Sequence, residues 1–96
     1  MGGGRKMTKE KPWSVVVLTT QEGDWEGFFI NGRLVDEGHE LGEGNSRTFL
    51  LRMAEKYNFT SKDLVIDEVT DEDDALIEKI GAFPPDLKEF EGVYKA

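Results

Sequence analysis

Apolar positions along this chain follow two different periods. "WSVVVLTT" (13–20) is a β-branched run bounded by Pro12 and by "QEGD", and it reads as a strand. Its apolar residues are consecutive rather than alternating, which predicts a strand covered on both faces and hence central in its sheet. "WEGFFI" (25–30) and "RLV" (33–35) follow, separated by Asn31-Gly32. A type I′ turn needs two residues that tolerate positive φ, so this pair predicts a two-residue hairpin. Three antiparallel strands in a meander result.

The period then lengthens. After a glycine-broken loop, "GHELGEGNS" (38–46), Phe49, Leu50, Met53 and Tyr57 fall on one helical face, opposite Arg47, Arg52, Glu55 and Lys56. Asn45 or Ser46 is the expected N-cap, and the helix should run to Tyr57 or Asn58. "LVIDEV" (64–69) predicts a fourth strand. Thr70 with Asp73 three residues on is a capping box in its Asp form, opening a second helix over 71–80 that Gly81 closes. Beyond Pro84-Pro85, a last helical turn is expected to dock Leu87 and Phe90. The predicted fold is α+β, a single small domain of order βββαβα, with strand order 3-2-1-4 and two helices packed on the sheet. Residues 1–11 read as a flexible tail or vector-derived leader, and 12–96 as the acidic domain.

Strand alternation places Trp25, Gly27 and Phe29 on one face of the hairpin and Glu26, Phe28 and Ile30 on the other. Both faces carry large apolar groups. The two helices can bury one, which leaves the other for the C-terminal segment, a second copy or a partner. On that expectation Trp25 and Phe28 are candidate contact residues.

Charge sharpens the picture. The whole chain of 96 residues carries a net −8. Residues 1–60 hold 8 Lys and Arg against 9 Asp and Glu, whereas residues 61–96 hold 4 against 11, a local net of −7. Such a surface repels phosphate backbones and anionic lipid, so direct nucleic-acid or membrane binding is not expected, and a basic protein partner is. The longest aliphatic run, "VVVL", is far short of the ~20 apolar residues a membrane helix needs. No apolar segment follows the basic N-terminal residues, so a cytoplasmic protein is expected. Without cysteine there is no disulfide, thiolate metal site or thiol nucleophile.

The chemistry-bearing residues mostly lack their partners. His39 is the sole histidine and sits among Asp36, Glu37 and Glu40, but no nucleophile motif accompanies it. Asp24, Glu26, Asp36 and Glu37 flank Trp25, an arrangement compatible with sugar chemistry, yet so short a chain leaves little room for a cleft. "TDEDDA" (70–75) lacks the glycine and closing glutamate of a calcium loop, and acidic residues in a first helical turn simply favour the helix dipole. "GHELGEGNSRT" (38–48) departs from the phosphate-loop pattern. No cofactor or metal is expected.

"GDWEGFFINGRLVDEGHEL" (23–41) resembles a pattern in small, mostly uncharacterised bacterial and phage proteins. In these an acid-Trp-Glu precedes an aromatic strand, an Asn-Gly or Asp-Gly turn, Leu-Val and then Glu-Gly-His. The resemblance covers about a fifth of the chain and implies a phage- or prophage-type accessory protein. The leading expectation is a non-enzymatic acidic interaction module, a regulator or inhibitor whose carboxylates imitate DNA phosphates. Asp67, Glu68, Asp71, Glu72, Asp74 and Glu78 would make the contacts, with Trp25 and Phe28. Two rivals stand beside it: a small-ligand or hydrolytic site of Trp25, Asp36, Glu37 and His39, and a structural homodimer.

Overall fold

The computed structural model describes residues 14–94. The expected N-terminal tail, 1–11, and the expected strand start at Trp13 lie outside the described residues. The elements are β1 (Val15–Thr19), β2 (Glu26–Ile30), β3 (Arg33–Gly38), α1 (Ser46–Tyr57), β4 (Leu64–Glu68) and α2 (Asp71–Ile80). A short turn, Leu41–Gly44, precedes α1, and a 3₁₀ turn, Leu87–Glu89, follows α2.

The four strands lie in the order β3-β2-β1-β4, as the sequence pattern requires. β1 pairs antiparallel with β2 and parallel with β4, so the sheet is mixed. Asn31 and Gly32 take φ of 52° and 83°, the two positive values that close the type I′ turn between β2 and β3. Asn31 also ties this turn to the start of β1, since its Oδ1 accepts from Ser14 N–H at 2.8 Å.

The helix boundaries follow local chemistry. Asn45, rather than Ser46, caps α1, with its Oδ1 accepting from Thr48 N–H at 3.2 Å. Ser46 Oγ faces backward and accepts from Leu41 N–H. Asn58, in the left-handed region, closes this helix, and Gly81 closes α2 in the same way.

The two helices do not share a face. α1 lays Phe49, Leu50, Met53, Ala54 and Tyr57 onto Val15, Val17, Phe28 and Ile30, with Leu41 and Phe59 completing that core. α2 contributes Ile77 and Leu76 to the opposite core, where Val16, Leu18 and Phe29 meet Val69, Phe83 and Phe90. The expectation that both helices would bury the same sheet face is thereby corrected, and of the coverings expected for the other face the C-terminal segment is the one found. The C-terminal segment and α2 cover it together. Four consecutive buried residues in β1, Val15 to Leu18, are the consequence. Each contributes roughly 1.5–3 kcal/mol from burial of its side chain.

A β-bulge shapes the hairpin. The register runs Phe29↔Leu34 and Phe28↔Asp36, so Val35 is the extra residue on β3. Leu34 therefore shares the α2 face with Phe29, and Asp36 moves to the α1 face beside Phe28. Glycine at position 27 is set by close approach rather than by φ. A Cβ there would lie 2.8 Å from Phe83 Cδ2, inside the ring's van der Waals contact.

Candidate interaction surface

The acidic surface begins where β4 ends. Between Asp67 and Glu78 there are seven carboxylates and no basic residue. Asp67, Glu68, Asp71, Glu72 and Glu78 are exposed and Asp74 is half-buried. The first helical turn of α2 alone holds Asp71, Glu72, Asp73 and Asp74, where the exposed N–H groups and dipole offset their charge. Gln21, in the β1–β2 turn, spans this helix start. Its side-chain Nε2 donates to Asp71 Oδ1 at 2.6 Å, and its main-chain N–H donates to Asp74 Oδ1 at 3.1 Å. That turn also brings Glu22 and Asp24 to the cleft lined by Asp74, Glu78, Trp25 and Ile77. These two carboxylates were not among the expected contacts. They are distant in sequence from 67–78, and the parallel pairing of β1 with β4 is what brings the β1–β2 turn beside the start of α2.

Asp73 behaves unlike its neighbours. It is fully buried. Its N–H donates to Thr70 Oγ1, which is the expected half of the capping box. The reciprocal half is absent, which corrects the expectation, because the carboxylate turns to the C-terminal segment instead. It accepts from Glu91 N–H at 2.7 Å, from Gly92 N–H at 2.9 Å and from the Tyr94 hydroxyl. Thr70 N–H, left over, donates to the Tyr94 oxygen at 3.0 Å. Burial alone would raise the Asp73 carboxyl. The hydrogen bonds from Tyr94, Glu91, Gly92 and Thr70 outweigh it and hold the group below its ordinary value of 3.8. Burial, and then the bond to Asp73, raises the Tyr94 phenol.

The residues of the ligand-site reading meet at the other end of the hairpin. Trp25, Asp36, Glu37, Gly38, His39, Glu40, Glu43 and Gly44 line an open cleft. The Trp25 and His39 rings pack edge to face with centroids 4.8 Å apart. His39 Nδ1 lies 2.8 Å from Asp24 O, so Nδ1 carries the proton in that contact. Both central carboxylates have structural donors. Glu37 Oε1 accepts from Trp25 Nε1 at 2.9 Å and from Phe83 N–H at 2.8 Å. Asp36 Oδ2, carried to the opposite face by the bulge, accepts from Gly42 N–H at 3.0 Å. Glu26, on the same face as Asp36, is pushed above the usual glutamate value by burial and then by the charge of Glu40.

Phe28 is fully buried between β1 and α1, with its ring against Phe49 and Phe59. Its expected role as a contact residue is corrected, since it is held inside the core. Trp25 remains half-buried at the rim of both clefts. Among the described residues no group of acidic or histidine side chains has the geometry of a metal site, and no helix is long and apolar enough to cross a membrane. Compared with protein-family models, curated proteins and solved structures, the chain gives no significant match.

Proposed function

We propose that the protein is a non-enzymatic interaction module whose acidic side docks on the basic surface of another protein. In this reading the carboxylates of β4 and α2 occupy a groove that otherwise receives nucleic-acid phosphates, and the protein regulates or inhibits its partner. The observation that carries it is the convergence of Glu22 and Asp24 from the β1–β2 turn with Asp74 and Glu78 of α2. A surface built only to keep a domain dispersed has no need to gather carboxylates from two elements, against their mutual repulsion. The engagement of Asp36 and Glu37 by structural donors favours this reading over hydrolysis. The resemblance of the hairpin motif supports a phage-type accessory role for the module.

The test uses a partner captured from the source organism's lysate. Binding should weaken steeply as salt rises, because exposed charges are screened over ~10 Å at 0.1 M ionic strength. Asp71→Asn, Glu72→Gln and Asp74→Asn together keep the acceptors that hold Gln21 yet remove charge. The triple variant should therefore fold as the parent does and associate more slowly. Equal association by the triple variant, in low and high salt alike, would refute the reading.

A further inference from the structure

The two edges of the sheet are finished differently. Along β3, Leu34 N–H donates to Pro85 O at 2.9 Å and Leu87 N–H donates to Gly32 O at 2.7 Å, while Arg33 forms an antiparallel bridge with Asp86. The C-terminal segment thus covers that edge. The other edge is β4, which pairs with β1 and, among the described residues, has no strand on its outer side.

Which main-chain groups face out follows from one hydrogen bond. Val69 N–H reaches Thr19 O at 3.0 Å. In a parallel ladder alternate residues turn their N–H and C=O to the same side, so Val65 and Asp67 also face β1. Leu64, Ile66 and Glu68 therefore face outward. Glu68 N–H confirms the parity, since it is held by the neighbouring Asp67 Oδ1 at 2.8 Å instead of by β1. Ile66 presents both its N–H and its C=O to the open side, with a side chain 63% exposed.

An open edge invites another strand, and charge decides which kind. A second copy would bring a further net −8 against Asp67, Glu68 and Asp71. An extended segment bearing Lys and Arg meets attraction there instead. We propose that β4 receives an extended basic segment of the partner as a fifth strand of the sheet. The main chain of Ile66 supplies the pairing, an apolar residue packs beside its side chain, and the basic residues flanking it lie on the other face against Asp67. Main-chain bonds provide affinity, and alternate side chains provide selectivity. The proposal rests on the acidic-surface reading and specifies how the partner sits on it.

The probe is a synthetic peptide, Lys-Val-Lys-Val-Arg-Val-Lys, compared with two forms N-methylated on alternate residues in either register. All three carry the same charge, and the methylated forms lose donors along one side. NMR titration of the intact protein at low salt, with amide exchange, reads the result. The unmodified peptide should slow exchange at Ile66 roughly tenfold or more. The methylated form that blocks the pairing side should bind roughly tenfold more weakly, through loss of its main-chain bonds. Equal binding of all three, with shifts at Asp71 and Asp74 rather than Ile66, would overturn edge pairing and leave the acidic-surface reading standing. No binding by any of them would overturn it too, and a captured partner that stays salt-sensitive would show that only the edge had failed. A concentration-dependent dimer that protects Ile66 without peptide would replace the basic segment with a second copy.

Discussion

Replacing Asp73 by Ala is the most informative perturbation of the fold. The side chain is fully buried and takes two main-chain N–H groups, those of Glu91 and Gly92, and the Tyr94 hydroxyl. Alanine leaves the two main-chain donors without an acceptor and the hydroxyl with Thr70 Oγ1 alone to donate to, 3.5 Å away. A buried polar group left without its partner costs about 1–3 kcal/mol, so the loss from the two main-chain groups is about 2–6 kcal/mol if the C-terminal segment stays in place. The segment can instead peel away and hydrate its donors, in which case the cost becomes exposure of Phe90. Either route removes a large share of the ~5–15 kcal/mol expected of a domain this size. Urea unfolding followed by tryptophan fluorescence measures the total, and amide exchange at Glu91 and Gly92 separates the routes. The pH dependence gives a second reading. The Asp73 carboxyl is held below 3.8, so its stabilisation is present above pH 3.8 and lost as pH falls through the depressed value. The alanine variant should therefore lack that part of the parent's acid sensitivity. A loss below about 1 kcal/mol, with Glu91 and Gly92 still protected, would refute the tether.

Gly32→Val should destabilise by about 1 kcal/mol or more, because φ of 83° is costly for a β-branched residue; an unchanged melting temperature would contradict the turn. Phe49→Ala should cost about 3–5 kcal/mol in chemical denaturation, whereas Met53→Ala, at a half-buried site, should cost less. Gly27→Ala should cost about 1–3 kcal/mol by driving a methyl into Phe83, and a neutral result would show that the ring gives way freely. Glu26→Gln should stabilise the fold at neutral pH. Its folded pKa is raised, so the stabilisation it offers exists below pH 4.5 and is lost as pH rises through the folded value; parent and variant should converge on acidification.

Local chemistry made most of the fold legible in the sequence. The consecutive "VVVL" fixed β1 at the centre, Asn31-Gly32 set the hairpin, and Asn45, Thr70 and Gly81 marked helix ends. Hairpin alternation also sorted Phe28 from Phe29 correctly, each to its own core. What alternation could not show is which elements answer each face. Phe28 looked like a contact because its partners, Phe49 and Phe59, are brought by a helix and a loop far along the chain. Asp73 looked like a cap for the same kind of reason. Thr70 is a neighbour in sequence, whereas Tyr94 lies 21 residues away and reaches it only through the C-terminal segment. The Val35 bulge left no sequence mark, and it moves Asp36 off the face that regular alternation would have it share with Leu34. At the candidate surface the acidic run was plain, but the contribution of Glu22 and Asp24 required knowing how the β1–β2 turn lies on α2.

The division into two cores sets a schedule for the chain as it leaves the ribosome. Val15, Val17, Phe28, Ile30, Leu41, Phe49 and Phe59 are all translated before residue 60, so the α1 side can close while synthesis continues. Val16, Leu18 and Phe29 wait for Phe83 and Phe90, and the outer edge of β3 waits for Pro85 and Leu87. Until those last residues emerge, the nascent domain shows an apolar sheet face and an unprotected strand together. A stalled ribosome or an early stop codon would therefore yield an adhesive product, a ready target for chaperones and proteases, rather than a slightly weaker copy of the same protein.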